Sequence, residues 1–187
     1  MLKLMHKPIR LLLCLSLLVA GTATALTQVV FESVSKYNHI RVYDHQRVRI
    51  LSFSGSQETR MSLANPLTGH FEYTEYFHMP WLWNDNIEQV LMIGLGGGST
   101  QRSFQHRYPK VQIDTVELDP VVIKIAREYF RLPESYNLKI HEGDGRMFLR
   151  RTTNQYDVIL LDAYTSSRYG SFIPYHLATR EFFEVGS

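Results

Sequence analysis

The chain has 187 residues, 20 Lys and Arg against 18 Asp and Glu, a formal net charge of +2 at pH 7 and a hydrophobic content of 44%. Those proportions exclude a disordered chain, and so small an excess of positive charge gives no basis for nucleic-acid binding. The single cysteine, Cys14, excludes a disulfide framework, and it lies in a segment that is best set apart from the fold.

That segment is residues 1–26. Lys3, Lys7 and Arg10 precede the apolar stretch from Leu11 to Ala20, and Ala23, Thr24 and Ala25 offer small residues to a signal peptidase. The stretch is shorter than the ~20 residues that span a bilayer, so export with cleavage is expected, to the periplasm or beyond. Were the segment retained, the chain would be membrane-anchored, and that is its only expected membrane contact. Cys14 sits inside the apolar stretch rather than behind it, which argues against a lipoprotein anchor.

Residues 27–84 form the next unit. From Gln28 to Ser62 the sequence alternates in twos: Ile40 and Val42 against Arg41 and Tyr43, then Val48 and Ile50 against Arg47 and Arg49. This predicts a small antiparallel β domain with a turn at Asp44, His45 and Gln46. Arg41, Arg47, Arg49 and Arg60 then fall on a solvated face. Asn65 to Gly69 is loop chemistry, and Phe71 to Trp83 is an aromatic stretch expected to be helical.

In residues 85–187 the period changes. Strands are predicted at 90–93, 111–117, 138–141 and 156–162, with helices at 99–107, 120–130, 145–152 and 174–184. Pro120 suits a first helical turn, and Val122, Ile125, Ala126 and Tyr129 give that helix an apolar face. Strand and helix in alternation imply an α/β fold with a parallel sheet.

Each of these strands closes on glycine or on an acid, which is where parallel sheets bind ligands. Gly94, Gly96, Gly97 and Gly98 before Ser99 allow close backbone approach and start a helix whose free amides would face a ligand, or they merely start the helix tightly. Glu117, 23 residues after Gly94, is spaced to hold ribose hydroxyls, the alternative being a solvated strand end. Asp144, between Gly143 and Gly145, would face a base or cap the next helix. Asp162 ends the run from Tyr156, and an acid there needs a partner or a task. Histidines at 39, 45, 70, 78, 106 and 141 show no ligand spacing, so no metal is expected.

From Phe31 onward the order of motifs resembles the polyamine aminopropyltransferases, the spermidine synthase family. Ser35 to Tyr43 is similar to the family's first paired strands, Gln57 to Arg60 to its glutamine-bearing strand, and Tyr73 to Glu75 to its tyrosine–glutamate helix. Val116 to Asp119, Gly143 to Gly145 and Tyr156 to Asp162 follow in family order. The resemblance implies a Rossmann-like sheet of the S-adenosylmethionine-dependent methyltransferase type, C-terminally incomplete after its fourth strand and helix, behind the β domain. It implies transfer of the aminopropyl group of decarboxylated S-adenosylmethionine to an amine such as putrescine, without metal. Asp162 would be the base and Tyr73 a catalytic partner. Gln57, Gly94, Gly96, Gly98, Glu117, Asp119, Asp144 and Gly145 would hold the nucleoside co-substrate, with Glu75 and Tyr164 on the amine. A homodimer through the β domain is a further expectation.

Two family acids are missing. Gly97 stands where an aspartate follows the third glycine position, and Thr165 stands three residues beyond Asp162. Glu72, Glu75 and Asp119 are the candidates to compensate. The alternatives are an S-adenosylmethionine-dependent methyltransferase, for which Gly97 would leave room for the cofactor carboxylate, and a nucleoside-binding protein without turnover. A nicotinamide dehydrogenase fits less well, because Ser99 takes the third glycine of that fingerprint.

Overall fold

A computed structural model describes residues 27–167 and 170–186; the expected export segment, with Cys14, lies outside them. Its first part is an antiparallel sheet in the order β1-β2-β3-β4, from β1 (Gln28–Val34), β2 (His39–His45), β3 (Val48–Phe53) and β4 (Ser56–Ser62). Its first tight turn falls one residue later than predicted, at Gln46 and Arg47, both at positive φ (49° and 68°). Two-residue turns of that hand match the twist of paired strands, so His45 stays in the ladder opposite Val48. Between β3 and β4 the register slips: Leu51 pairs with Thr59 but Ser52 with Gln57, so Glu58 bulges out of the ladder.

The second sheet is parallel, ordered β7-β6-β5-β8, from β5 (Gln89–Ile93), β6 (Gln112–Glu117), β7 (Leu138–Glu142) and β8 (Val158–Leu161). Three helices provide the crossovers: α1 (Ser99–Arg107), α2 (Pro120–Glu128) and α3 (Gly145–Arg151). β8 starts two residues later than predicted because the Asp157 carboxylate accepts the backbone N–H groups of Glu88 and Gln89 and holds that residue in a bend.

Both sheets share helix α2. Ile40, Val42, Leu51 and Met61, the inward residues of the first sheet, pack with Val122, Ile125 and Phe130, while Ala126 faces the core of the second. Burying one such large side chain contributes about 1.5–3 kcal/mol, so uncovering this seam would expose several such increments at once. Polar ties reinforce it: the Ser35 hydroxyl donates to Asp119, and Arg49 donates to the Tyr129 carbonyl at 3.0 Å.

The aromatic stretch is a 3₁₀ helix, Glu72–Leu82, with Pro80 inside it. It is pinned by Trp81, which stacks on Tyr108 at 3.9 Å and meets Phe104 edge-on. The single helix predicted over 174–184 is replaced by two short elements behind a small hairpin. A hairpin of β9 (Thr165–Ser167) and β10 (Gly170–Phe172) leads to a 3₁₀ turn, Tyr175–Leu177, and then α4 (Arg180–Val185). Thr179 breaks the run because its side chain caps α4, accepting the Phe182 N–H at 3.2 Å. Among the described residues no helix is long and apolar enough to cross a membrane.

Candidate active site

β5 and β8 are neighbours at the point where strand order reverses, so their carboxyl ends open a crevice. Gly94 shows how tightly the strand ends meet. Its φ is +103°, its N–H donates to the Val116 carbonyl at 2.8 Å, and a Cβ there would run into the Asp162 carbonyl. Only glycine meets both conditions. Beyond it the Gly97 N–H donates to the Thr59 hydroxyl at 2.8 Å, and the space a Gly97 side chain would take is filled by Thr59 and Phe130. The room for a cofactor carboxylate expected at Gly97 is therefore already occupied.

Arg102, which the sequence did not mark, supports this loop from below. Its buried guanidinium donates to the carbonyls of Gly97, Phe130 and Pro66, with no carboxylate partner among the described residues. Desolvation lowers its pKa to about 10, which still leaves it charged at neutral pH.

The cleft above these strand ends measures about 1030 Å³, its open mouth included. All four predicted strand ends reach it, through Gly94 and Gly96, Glu117 and Asp119, Asp144 and Gly145, and Asp162. Glu117 bridges two loops: one oxygen accepts the Leu95 N–H at 3.0 Å, the other the Asp119 N–H at 2.9 Å. Burial raises its pKa, and these backbone donors oppose the rise. The Asp119 carboxylate is committed to structure, capping α2 through the Val121 N–H and receiving the Ser35 hydroxyl. Gly145 is small because a Cβ there would strike Ile93, and Gly98 caps α1 with φ +72°.

Of the two roles the sequence left open for Asp144, the structure shows the helix cap and leaves a second oxygen on the cleft. Its Oδ1 caps α3 through the Met147 N–H at 2.8 Å, and its Oδ2 faces the cleft, where His176 Nε2 reaches it at 2.8 Å. An adenine amino group would compete with that imidazole. An exposed pair of this kind is worth ~0.2–1 kcal/mol, so, if the cleft takes the adenine nucleoside that the sequence resemblance implies, His176→Ala is expected to tighten nucleoside binding by roughly 1.5- to fivefold. Calorimetric titration checks this, and weaker binding in the variant would show that the imidazole contacts the ligand instead.

Asp162 lies at the opposite end of the cleft. Burial pushes its pKa up to about 7, a hydrogen bond from the Tyr73 hydroxyl opposes the rise, and the Glu58 carboxylate adds to it. Its Oδ1 is shielded from solvent without a hydrogen-bond partner. Tyr73 is held well above the ordinary tyrosine pKa by burial and by Asp162, so it remains a donor. Tyr164 lines the same end and is raised by the same two causes.

Three predicted residues stay outside: Gly98, which serves only as the cap of α1, and the side chains of Gln57 and Glu75. Gln57 is turned away by the β3–β4 bulge and donates to the Tyr43 hydroxyl at 3.1 Å, while its neighbours Glu58 and Thr59 face the cleft. Glu75 pairs with His70 at 2.7 Å and with Arg107 at 3.6 Å, which hold its pKa low and its carboxylate away from the cleft. Glu72 and Thr165 do not line the cleft either.

Residues 70–184 match the family model described as the spermine/spermidine synthase domain. A polyamine aminopropyltransferase from Vibrio vulnificus is 38% identical over 162 residues, which is 82% of this chain and 53% of that protein. The chain thus spans about half the length of this curated relative. A probable spermidine synthase from Corynebacterium glutamicum shares the fold, with TM-score 0.71 and 24% identity over 83% of this chain and 58% of its own. Human methyltransferase-like protein 13, solved in complex with SAH, follows at TM-score 0.54 and 26% identity over 62% of this chain and 58% of its own.

Proposed function

The chain belongs to the spermine/spermidine synthase family, and from that premise we propose that its cleft transfers the aminopropyl group of decarboxylated S-adenosylmethionine to an amine such as putrescine. One observation carries the reading: a half-buried Asp162, one oxygen of it shielded and unsatisfied, shares a cleft with the acids that suit a nucleoside, Glu117 and Asp144.

In this reading the amine nitrogen attacks the methylene beside the sulfonium, the C–S bond breaks and methylthioadenosine leaves. An alkylammonium of pKa near 10.4 must first release a proton. To an ordinary aspartate, near 3.9, that transfer is uphill by roughly 9 kcal/mol. To Asp162, at about 7, it is uphill by only about 5 kcal/mol, which makes burial part of the catalytic design. Tyr73 would orient the carboxylate through its hydroxyl. Glu117 would accept from the ribose hydroxyls and Asp144 from the adenine amino group. The carboxylates also suit a cationic sulfonium and a cationic amine, and alignment of the two substrates would supply much of the rate.

Calorimetric titration with decarboxylated S-adenosylmethionine, its parent cofactor and methylthioadenosine, followed by a transfer assay with putrescine, tests this. The decarboxylated form is expected to bind tighter than the parent, with aminopropylated product in the assay. Tighter binding of the parent would favour the methyltransferase alternative, and binding without product would leave a nucleoside-binding protein.

A further inference from the structure

The amine end of the cleft lacks two acids that the family resemblance led us to expect, since position 97 is a packed glycine and Thr165 does not reach the cleft. It nevertheless contains a carboxylate outside the predicted set. Glu58 is thrown out of the β4 ladder by the bulge opposite Ser52 and so reaches the cleft beside Thr59. Its Oε1 is shielded from solvent and has no hydrogen-bond partner, like Asp162 Oδ1. Among the described residues no ion pair forms there: Arg60, two residues on, lays its guanidinium over the Phe71 ring at 5.6 Å instead.

Glu58 acts electrostatically on Asp162, Tyr73 and Tyr164, the titratable groups at the amine end. Two shielded carboxylate oxygens without donors, in one cavity, form an incomplete arrangement. Each such group is costly to leave unpaired. A ligand with two separated cationic nitrogens would satisfy both, whereas a single ammonium would satisfy one.

We propose that Glu58 is the specificity-determining residue of the amine pocket, receiving the non-reacting ammonium of a diamine while Asp162 faces the reacting nitrogen. The assignment rests on the aminopropyltransferase reading. It places the second acid of the pocket on the antiparallel sheet and makes β4 a wall of the acceptor site.

The test compares wild type with Glu58→Gln, which keeps the side chain's shape, using putrescine and n-butylamine as acceptors. A charge-assisted hydrogen bond of ~1.5–3 kcal/mol corresponds to a rise in KM for putrescine of about tenfold to a hundredfold. KM for n-butylamine and for the decarboxylated co-substrate should hardly move. The acidic limb of the pH–rate profile should shift to lower pH, because one of the charges that raises the Asp162 pKa is gone. An unchanged putrescine-to-butylamine ratio in an active variant would overturn the proposal. So would an effect confined to the decarboxylated co-substrate, which would place Glu58 at the aminopropyl group. Absence of transfer in wild type would instead overturn the aminopropyltransferase reading itself.

Discussion

Asp162→Asn is expected to abolish transfer and, at the same time, to stabilise the empty protein above pH 7. The first effect follows from loss of the proposed proton acceptor, a loss typically of 10²- to 10⁴-fold. The second follows from the raised pKa. A carboxyl that titrates at about 7 when folded and near 3.9 when unfolded favours the folded state fully only below the unfolded value. That contribution is lost as pH rises through 7, and by pH 8.5 the folded protein carries a buried charge costing up to ~4 kcal/mol. Asparagine carries no charge, so the Tm gain of the variant should grow from pH 5 to pH 8.5 in scanning calorimetry. Binding of methylthioadenosine should be spared. A variant as active as wild type would remove Asp162 from the mechanism, and a Tm gain independent of pH would contradict the buried-charge account.

Glu117→Ala is the second large effect. Its carboxylate is tied to Leu95 and Asp119, so truncation leaves two backbone donors unpaired as well as deleting the proposed ribose contact. At ~1–3 kcal/mol for each unpaired donor, the glycine loop should loosen and nucleoside affinity should fall by at least about a hundredfold. Glutamine rescues little, because its amide offers one accepting oxygen where two are needed and turns an N–H toward a donor. Titration of both variants with methylthioadenosine, alongside thermal melts, checks this; wild-type affinity in either would defeat the ribose assignment.

Much of this architecture is legible in the amino-acid order. Alternation from Gln28 to Ser62 and the later change of period give both sheets, because each element buries one face. Gly94, Glu117, Asp144 and Asp162 are readable because strand ends carry their acids and glycines in register. What escaped depends on registers and partners that local pattern does not carry. Gln57 and Glu58 exchange places through a bulge, and a one-residue slip re-aims every side chain around it. Glu75 is lost to His70 and Arg107, partners from outside its own segment, and Asp119 is committed to Ser35 and its own helix. The predicted C-terminal helix failed at Thr179, whose capping hydroxyl competes with helix continuation. Arg102 was invisible because nothing in a helical pattern says that an arginine will point inward to three carbonyls.

The seam between the two sheets sets a schedule for synthesis. The first four strands present Ile40, Val42, Leu51 and Met61 to a helix that begins only at Pro120, and Arg49 finds its carbonyl at Tyr129. On a ribosome the antiparallel sheet therefore emerges with its apolar face bare. It stays bare until residues up to Phe130 have left the exit tunnel. During that interval four aliphatic and sulfur-bearing side chains are open to chaperones or to one another on neighbouring nascent chains, and a pause after β4 would lengthen it.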